Sequence, residues 1–127
     1  ENPIRIVIDK DLKLSENLNL FNSESETIIF NKIKSENNSD NKYKKINFNN
    51  LINNILVELY KQKIQSVIIE GGTTTLQSFI EESLWDEARI FTTDIKLENG
   101  VESPSIKGRN LSEIEIDTDL LKIIDND

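Results

Sequence analysis

Three short runs of isoleucine and valine place the strongest constraint on the fold of this chain. They lie at residues 4–9 (IRIVID), 27–30 (TIIF) and 66–70 (SVIIE), and polar residues bound each of them. Short β-branched runs of this kind are typical of strands that are buried on both faces of a parallel sheet. We therefore predict three buried strands at the centre of a mostly parallel sheet.

Two further segments have helical periodicity. Apolar residues recur every three or four positions in residues 51–63 and again in residues 73–83. Beyond the second helix, residues 86–97 (DEARIFTTDIKL) predict one long strand, and SEIEID and LLKIID predict a closing antiparallel hairpin. This order indicates an α/β fold, with a mostly parallel central sheet flanked by helices and an antiparallel C-terminal edge.

Length and composition limit the number of domains and the possible chemistry. The 127 residues fit a single domain, in which residues 31–42 (NKIKSENNSDNK) predict a flexible loop. The sequence has no cysteine and no histidine, which excludes disulfides, thiolate or imidazole metal sites and histidine catalysis within these residues. The net charge of −8 argues against nucleic acid and anionic membranes as partners. Without a membrane-spanning run or a signal-peptide pattern, the sequence predicts a cytoplasmic protein.

The stretch EGGTTT, residues 70–75, is where we expect a ligand. Gly71 and Gly72 stand directly before the second predicted helix, whose first N–H groups have no partner within the helix and carry partial positive charge. Glycine lets an anion approach the backbone, and threonine hydroxyls add donors, so the stretch suits the diphosphate of a dinucleotide. Glu70 ends the predicted strand, on the edge where α/β sheets bind ligands. A tight turn that binds nothing remains the alternative, because the pattern is neither GxGxxG nor a P-loop.

Two blocks of the sequence resemble one known family. VIIEGGTTTLQSFIEESLWDEARIF (67–91) has the Glu-Gly-Gly, Ser-Phe and Leu-x-Asp-Glu elements, and NPIRIVIDKDLKL (2–14) has an Asn-Pro-x-Arg strand that ends in Asp. Together they resemble the reductase domain of the bifunctional pyrimidine deaminase–reductase of riboflavin biosynthesis. The resemblance implies a dihydrofolate-reductase-like fold, NADPH as the hydride donor and a homodimer.

The resemblance also implies roles for particular residues. Glu70 would contact the substrate, 5-amino-6-(5-phosphoribosylamino)uracil, whose ribose is reduced to a ribityl chain. Lys10 would reach the 2′-phosphate of NADPH, with Lys13 and a purely solvated lysine as the alternatives. No residue is assigned as catalytic. The residues implied to bind the cofactor are Gly71, Gly72, Thr73, Thr74, Thr75, Leu76, Gln77 and Ser78.

The resemblance reaches only the later part of such a reductase domain. The family's earlier strand and helix, its Asp-Asp-Pro loop and its zinc-binding deaminase half are not found in this sequence. We therefore expect the chain to be the C-terminal part of the reductase domain of a longer protein. Two other functions remain open, a non-catalytic nucleotide- or phosphate-binding module and a dimerisation scaffold.

Overall fold

The computed structural model describes residues 2–126 and divides the chain into two compact units. The first unit is Glu1–Ser66 and the second is Val67–Asp127. Within the part of the chain that the structure describes, no helix is long and apolar enough to span a membrane. The organisation of the whole chain as a single domain stays a prediction.

The first unit contains a four-stranded mixed sheet and helix α1 (Leu51–Lys61). In space the strands follow the order β1, β2, β4, β3. β2 pairs in parallel with β1 on one side and with β4 on the other, whereas β3 is antiparallel to β4. The bounds of the four strands are β1 Arg5–Ile8, β2 Thr27–Asn31, β3 Glu36–Asn37 and β4 Asn41–Lys45.

β2 forms the core of this unit. All five of its residues are buried, and Ile28, Ile29 and Phe30 are 0% exposed. A strand with a neighbour on each side and cover on both faces favours an apolar run, here Ile28 to Phe30. The buried polar side chains at its two ends, Thr27 and Asn31, are hydrogen-bonded to the backbone. The predicted strand is confirmed. In α1 the buried residues Ile52, Ile55 and Leu59 confirm the predicted apolar stripe.

The segment predicted as a loop, residues 31–42, contains more structure than its composition indicates. It includes β3 and the first residues of β4, and β3 pairs with β4 at Glu36↔Tyr43 and Asn37↔Lys42. β3 carries polar side chains because it lies at the edge of the sheet, where one side meets solvent. Periodicity and hydrophobicity therefore give little sign of it. The flexibility of the segment stays a prediction.

The second unit contains helix α2 (Thr73–Glu81) and a three-stranded antiparallel sheet. Its strands are β5 (Glu87–Thr92), β6 (Arg109–Ile116) and β7 (Asp119–Asp125), in the spatial order β5, β7, β6. The predicted hairpin is confirmed as β6 and β7. The long strand predicted over residues 86–97 is wrong beyond Thr92. Thr92 pairs with Leu120 almost at the start of β7, and within residues 2–126 no partner continues the ladder.

The strand predicted at residues 66–70 is also wrong. The structure assigns no strand to these residues, and Ile68 is 86% exposed. An apolar run becomes a strand only where another strand accepts its backbone hydrogen bonds. Among residues 2–126 no strand pairs with this run. Glu70 therefore lies in an exposed connection that leads into α2, and not at the end of a sheet strand.

Candidate functional site

The N-terminus of α2 lies where EGGTTT predicts it, and its two glycines do different things. Gly72 occupies the N-cap with φ −61° and ψ 171°, an extended conformation that any residue adopts. A Cβ built on Gly72 would meet nothing within 4 Å, whereas one on Gly71 would lie 3.1 Å from Cβ of Thr75. Gly71 thus permits close packing against the helix, and the turn requires no left-handed backbone. Gly72 leaves open space at the helix end.

The first turn of α2 has unused backbone donors. The N–H groups of Thr75 and Leu76 donate to the carbonyl of Gly72, at 3.0 and 3.2 Å. Within residues 2–126, nothing accepts a hydrogen bond from the N–H of Thr73 or Thr74, and no side chain caps the helix. Two free donors, the positive end of the helix dipole and open space at Gly72 suit an anionic group such as a diphosphate.

Three side chains in the predicted cofactor-binding stretch are already engaged. Thr73 Oγ1 donates to the carbonyl of Glu102 at 2.8 Å, and Gln77 Oε1 accepts from the N–H of Ser105 at 3.0 Å. The hydroxyl of Ser78 donates to the carbonyl of Thr74 at 2.9 Å, within the helix. The contact between residues 102–105 and α2 was not predictable from the sequence, because it depends on the path of a segment with no regular structure.

The two remaining predicted contacts lie outside α2. Glu70 is exposed and precedes the N-cap by two positions. Lys10 belongs to the first unit, where its Nζ lies 5.8 Å from the ring centroid of Phe48. Their contacts with substrate and cofactor stay predictions, as do those of Thr74, Thr75 and Leu76 in the first turns of the helix.

Asp9, which directly follows β1 in the Asn-Pro-x-Arg block, has a structural role that the sequence did not reveal. It is 8% exposed, and its carboxylate accepts hydrogen bonds from the N–H groups of Lys13 (2.9 Å) and Leu14 (3.0 Å). These bonds hold the turn after β1, in which Leu12 has φ 53°. The buried carboxylate is thereby satisfied by the backbone.

A cleft of about 240 Å³ lies beside this turn, within the first unit. Its walls include Phe21, Ile29 and Tyr43, and Lys34 stands at its side. The ammonium of Lys34 lies 2.7 Å from Glu36, and this hydrogen bond raises the pKa of the lysine above its ordinary value. Asp9 and Lys34 already have partners, but Glu16 also lines the cleft, so polar and apolar groups contribute to its walls alike.

Arg5 organises the chain between β1 and β2. Its guanidinium donates to the carbonyls of Asn19, Asn22 and Ser25 and to Oδ1 of Asn22, at 2.6 to 2.9 Å. The forked guanidinium suits this task because it carries five donors in a fixed plane. This role could have been predicted from the sequence, because an arginine within an apolar strand needs hydrogen-bond acceptors near it.

Known structures define the class of the protein. The fold matches a diaminohydroxyphosphoribosylaminopyrimidine deaminase/5-amino-6-(5-phosphoribosylamino)uracil reductase from Thermotoga maritima, with a TM-score of 0.83 and 21% identity over 98% of this chain and 38% of that one. A RibD structure from Acinetobacter baumannii matches with a TM-score of 0.73 and 19% identity, over 95% of this chain and 37% of that one. The chain is an α/β protein with the dihydrofolate-reductase-like fold.

The family follows from the sequence match. Residues 1–107 match the RibD C-terminal domain, and the chain belongs to that family. The riboflavin biosynthesis protein RibD of Aquifex aeolicus is 30% identical over an alignment of 117 positions that covers 87% of this chain and 30% of that protein. The resemblance seen in the two sequence blocks is confirmed. The chain spans less than a third of the length of this curated relative.

Proposed function

We propose that the protein to which this chain belongs reduces 5-amino-6-(5-phosphoribosylamino)uracil to its ribitylamino product in riboflavin biosynthesis, with NADPH as the donor. Membership of the RibD C-terminal domain family over residues 1–107 carries this proposal. The T. maritima relative that shares the fold is described as a reductase of this same compound. A non-catalytic nucleotide-binding module of the same fold would bind NADPH without consuming it, so a reduction assay with the full-length protein separates the two.

The residues of α2 fit the diphosphate of the cofactor. The N–H groups of Thr73 and Thr74 have no acceptor among the described residues, and a Cβ at Gly72 would meet nothing within 4 Å. An anion is stabilised there by backbone donors and by the helix dipole, without a cationic side chain. When bound, NADPH supplies the hydride, and the chain's own part is to hold and orient it.

Glu70 and Lys10 complete the proposed contacts. Glu70 is exposed two positions before Gly72, and its carboxylate is suited to accept a hydrogen bond from a substrate hydroxyl or ring N–H. Lys10 would provide a positive charge for the 2′-phosphate. We also propose that the protein is cytoplasmic, which agrees with a sequence that has no cysteine.

The diphosphate site is tested with Gly72→Asp. This change adds a Cβ and a negative charge at the open end of the helix, and we expect NADPH affinity to fall at least about tenfold by charge repulsion. Because aspartate is a favourable N-cap residue and glycine is only slightly worse, the variant should unfold at the same temperature as the parent or a higher one. Affinity is measured by titration calorimetry and stability by thermal unfolding.

Gly72→Ala is the matched control, since it adds the Cβ without the charge. It should lose less affinity than Gly72→Asp, although alanine is the poorer N-cap residue. Unchanged NADPH affinity in a folded Gly72→Asp protein would contradict the proposal that the diphosphate binds at this helix end.

We further propose that the protein forms a homodimer through one face of the second unit's sheet. Phe91 and Ile114 each lie opposite Leu121 in the ladders, so the three side chains share a face, and Phe91 is 64% and Ile114 46% exposed. The same face carries the ion pairs Arg89–Glu87 and Arg109–Asp125. An apolar centre beside charges of both signs is complementary to a second copy of itself, even in a chain of net charge −8.

A further inference from the structure

Part of the segment that connects β5 to β6 is attached to α2 by two hydrogen bonds. Thr73 Oγ1 donates to the carbonyl of Glu102 at 2.8 Å, and the N–H of Ser105 donates to Oε1 of Gln77 at 3.0 Å. Thr73 and Gln77 are four residues apart and therefore lie on the same face of the helix. Residues 102–105, which we call the strap, run along this face in the N-terminal half of α2.

The backbone is restricted both within the strap and just beyond it. Pro104, which is half-buried, restricts the backbone between the two anchored residues. Just beyond the strap, a Cβ built on Gly108 would lie 2.2 Å from the carbonyl oxygen of Asp125 and 3.0 Å from Cη2 of Trp85. Only glycine fits so close an approach to backbone. The path of the strap is thus restricted at Pro104 and again at Gly108.

The strap and an anion at the helix end would use different groups. A hydroxyl has one proton, and that of Thr73 is donated to Glu102, so it is not available to a phosphate oxygen. The N–H groups of Thr73 and Thr74, by contrast, have no acceptor in the described part of the chain, and the space at Gly72 is open. Side chains of the first turns hold the strap, and the backbone is left for the anion.

We propose that the strap is a side wall of the nucleotide diphosphate site and that Thr73 and Gln77 are positioning residues that hold this wall. This inference rests on the NADPH site proposed above. It assigns both side chains a different role from the direct cofactor contact that the resemblance implies. A bound nucleotide should slow the opening of the strap, and a loosened strap should weaken nucleotide binding, because the two are coupled by one equilibrium.

The test is hydrogen exchange of the strap in the full-length protein, with and without NADPH, followed by mass spectrometry. Thr73→Val removes the hydroxyl at nearly constant volume. Without nucleotide, we expect exchange in the strap to rise about fivefold, the factor that corresponds to one ordinary hydrogen bond. The dissociation constant of NADPH should rise by up to that factor, since only part of the population keeps the wall closed.

Two conservative variants serve as matched controls. Thr73→Ser keeps the hydroxyl and should recover both the slow exchange and most of the affinity. Gln77→Leu should speed exchange at Ser105, whereas Gln77→Glu retains an acceptor oxygen and should keep it slow. Rescue by the retained hydrogen-bonding group would show that the contact with the strap matters, and not the packing of the helix.

Two results would overturn the proposal. One is weaker NADPH binding in Thr73→Val with unchanged exchange in the absence of nucleotide, because Thr73 would then contact the cofactor directly. The other is strap exchange that does not respond to bound NADPH. If the unaltered protein binds no NADPH, the proposed function and the ligand wall both fail, while exchange without nucleotide still decides whether Thr73 and Gln77 hold the strap.

Discussion

At the candidate site, the role of some residues can be predicted from the residue type, whereas the role of others depends on which groups the fold brings beside them. A Gly-Gly pair before a helical pattern predicts an accessible helix N-terminus, and the structure has one, with Gly72 at the N-cap. The roles of the threonines do not follow in this way, because a hydroxyl donates to whichever acceptor lies nearest. For Thr73 that acceptor is the carbonyl of Glu102, 29 positions along the chain.

Glu70→Gln tests the proposed substrate contact at this scale. The change keeps the size of the side chain and removes its charge, so we expect kcat/KM for the pyrimidine substrate to fall about tenfold or more, the loss of one charge-assisted hydrogen bond. NADPH affinity should stay the same or improve, because a carboxylate close to the helix end repels a diphosphate. Steady-state kinetics and a binding titration measure the two effects.

Glu98→Gln, at another exposed position of the second unit, is the control and should change neither quantity. If Glu70→Gln weakens NADPH binding as much as substrate use, the carboxylate does not discriminate between the two ligands, and its role as a substrate contact is lost.

At the scale of elements, the helices and strands whose burial is reflected in their own residue pattern were predictable from the sequence. The centre of β2 is apolar because it is covered on both faces, and α1 has its apolar stripe because one side is buried. The strand predicted at residues 66–70 has the same composition but no ladder partner among the described residues. β3 shows the opposite case, a polar strand that exists because β4 lies beside it.

The pair Arg109–Asp125, which links β6 and β7, gives a pH-dependent prediction. The hydrogen bond from Arg109 lowers the pKa of Asp125 below its ordinary value of 3.8. The folded state therefore binds this proton less readily than the unfolded chain. Its stabilising contribution is fully present above pH 3.8 and is lost as the pH falls through the lower folded pKa.

Arg109→Gln should move the titration midpoint of Asp125 upward, towards 3.8, in an NMR titration of its carboxyl carbon. Arg89→Gln removes a cation from β5 that pairs with Glu87, and should move that midpoint less. Equal shifts in the two variants would mean that general charge, and not the direct hydrogen bond, sets the pKa of Asp125.

At the scale of the whole molecule, the family match and the fold agree, and the chain spans 30% of the length of its A. aeolicus relative. The activity and the assembly of the protein are therefore stated as proposals. Phe91 and Ile114 are exposed and flank the half-buried Leu121, and this apolar row is the surface of the second unit through which we propose that the dimer forms.

Phe91→Lys tests the homodimer. We expect sedimentation equilibrium to show a dimer for the parent protein and a dissociation constant at least about a hundredfold higher for the variant, because a charge would be buried in the contact. The lysine lowers the net negative charge, so greater repulsion between acidic chains would not explain dissociation.

Leu97→Lys places the same charge at an 83% exposed position outside the strands, and should leave the dimer intact. A monomeric parent protein, or equal dissociation in both variants, would contradict a contact through this face.

The sequence by itself determined the elements whose local pattern of apolar, polar and glycine residues specifies them. These are the β2 core strand, the α1 stripe, the C-terminal hairpin and the glycine-led start of α2, and the two motif blocks also identified the family. The tertiary structure decided what depends on distant partners. It left residues 66–70 without a ladder, ended β5 at Thr92 and brought residues 102–105 to Thr73 and Gln77. Hydrogen bonds between distant residues depend on the path of the chain, and local composition does not record that path.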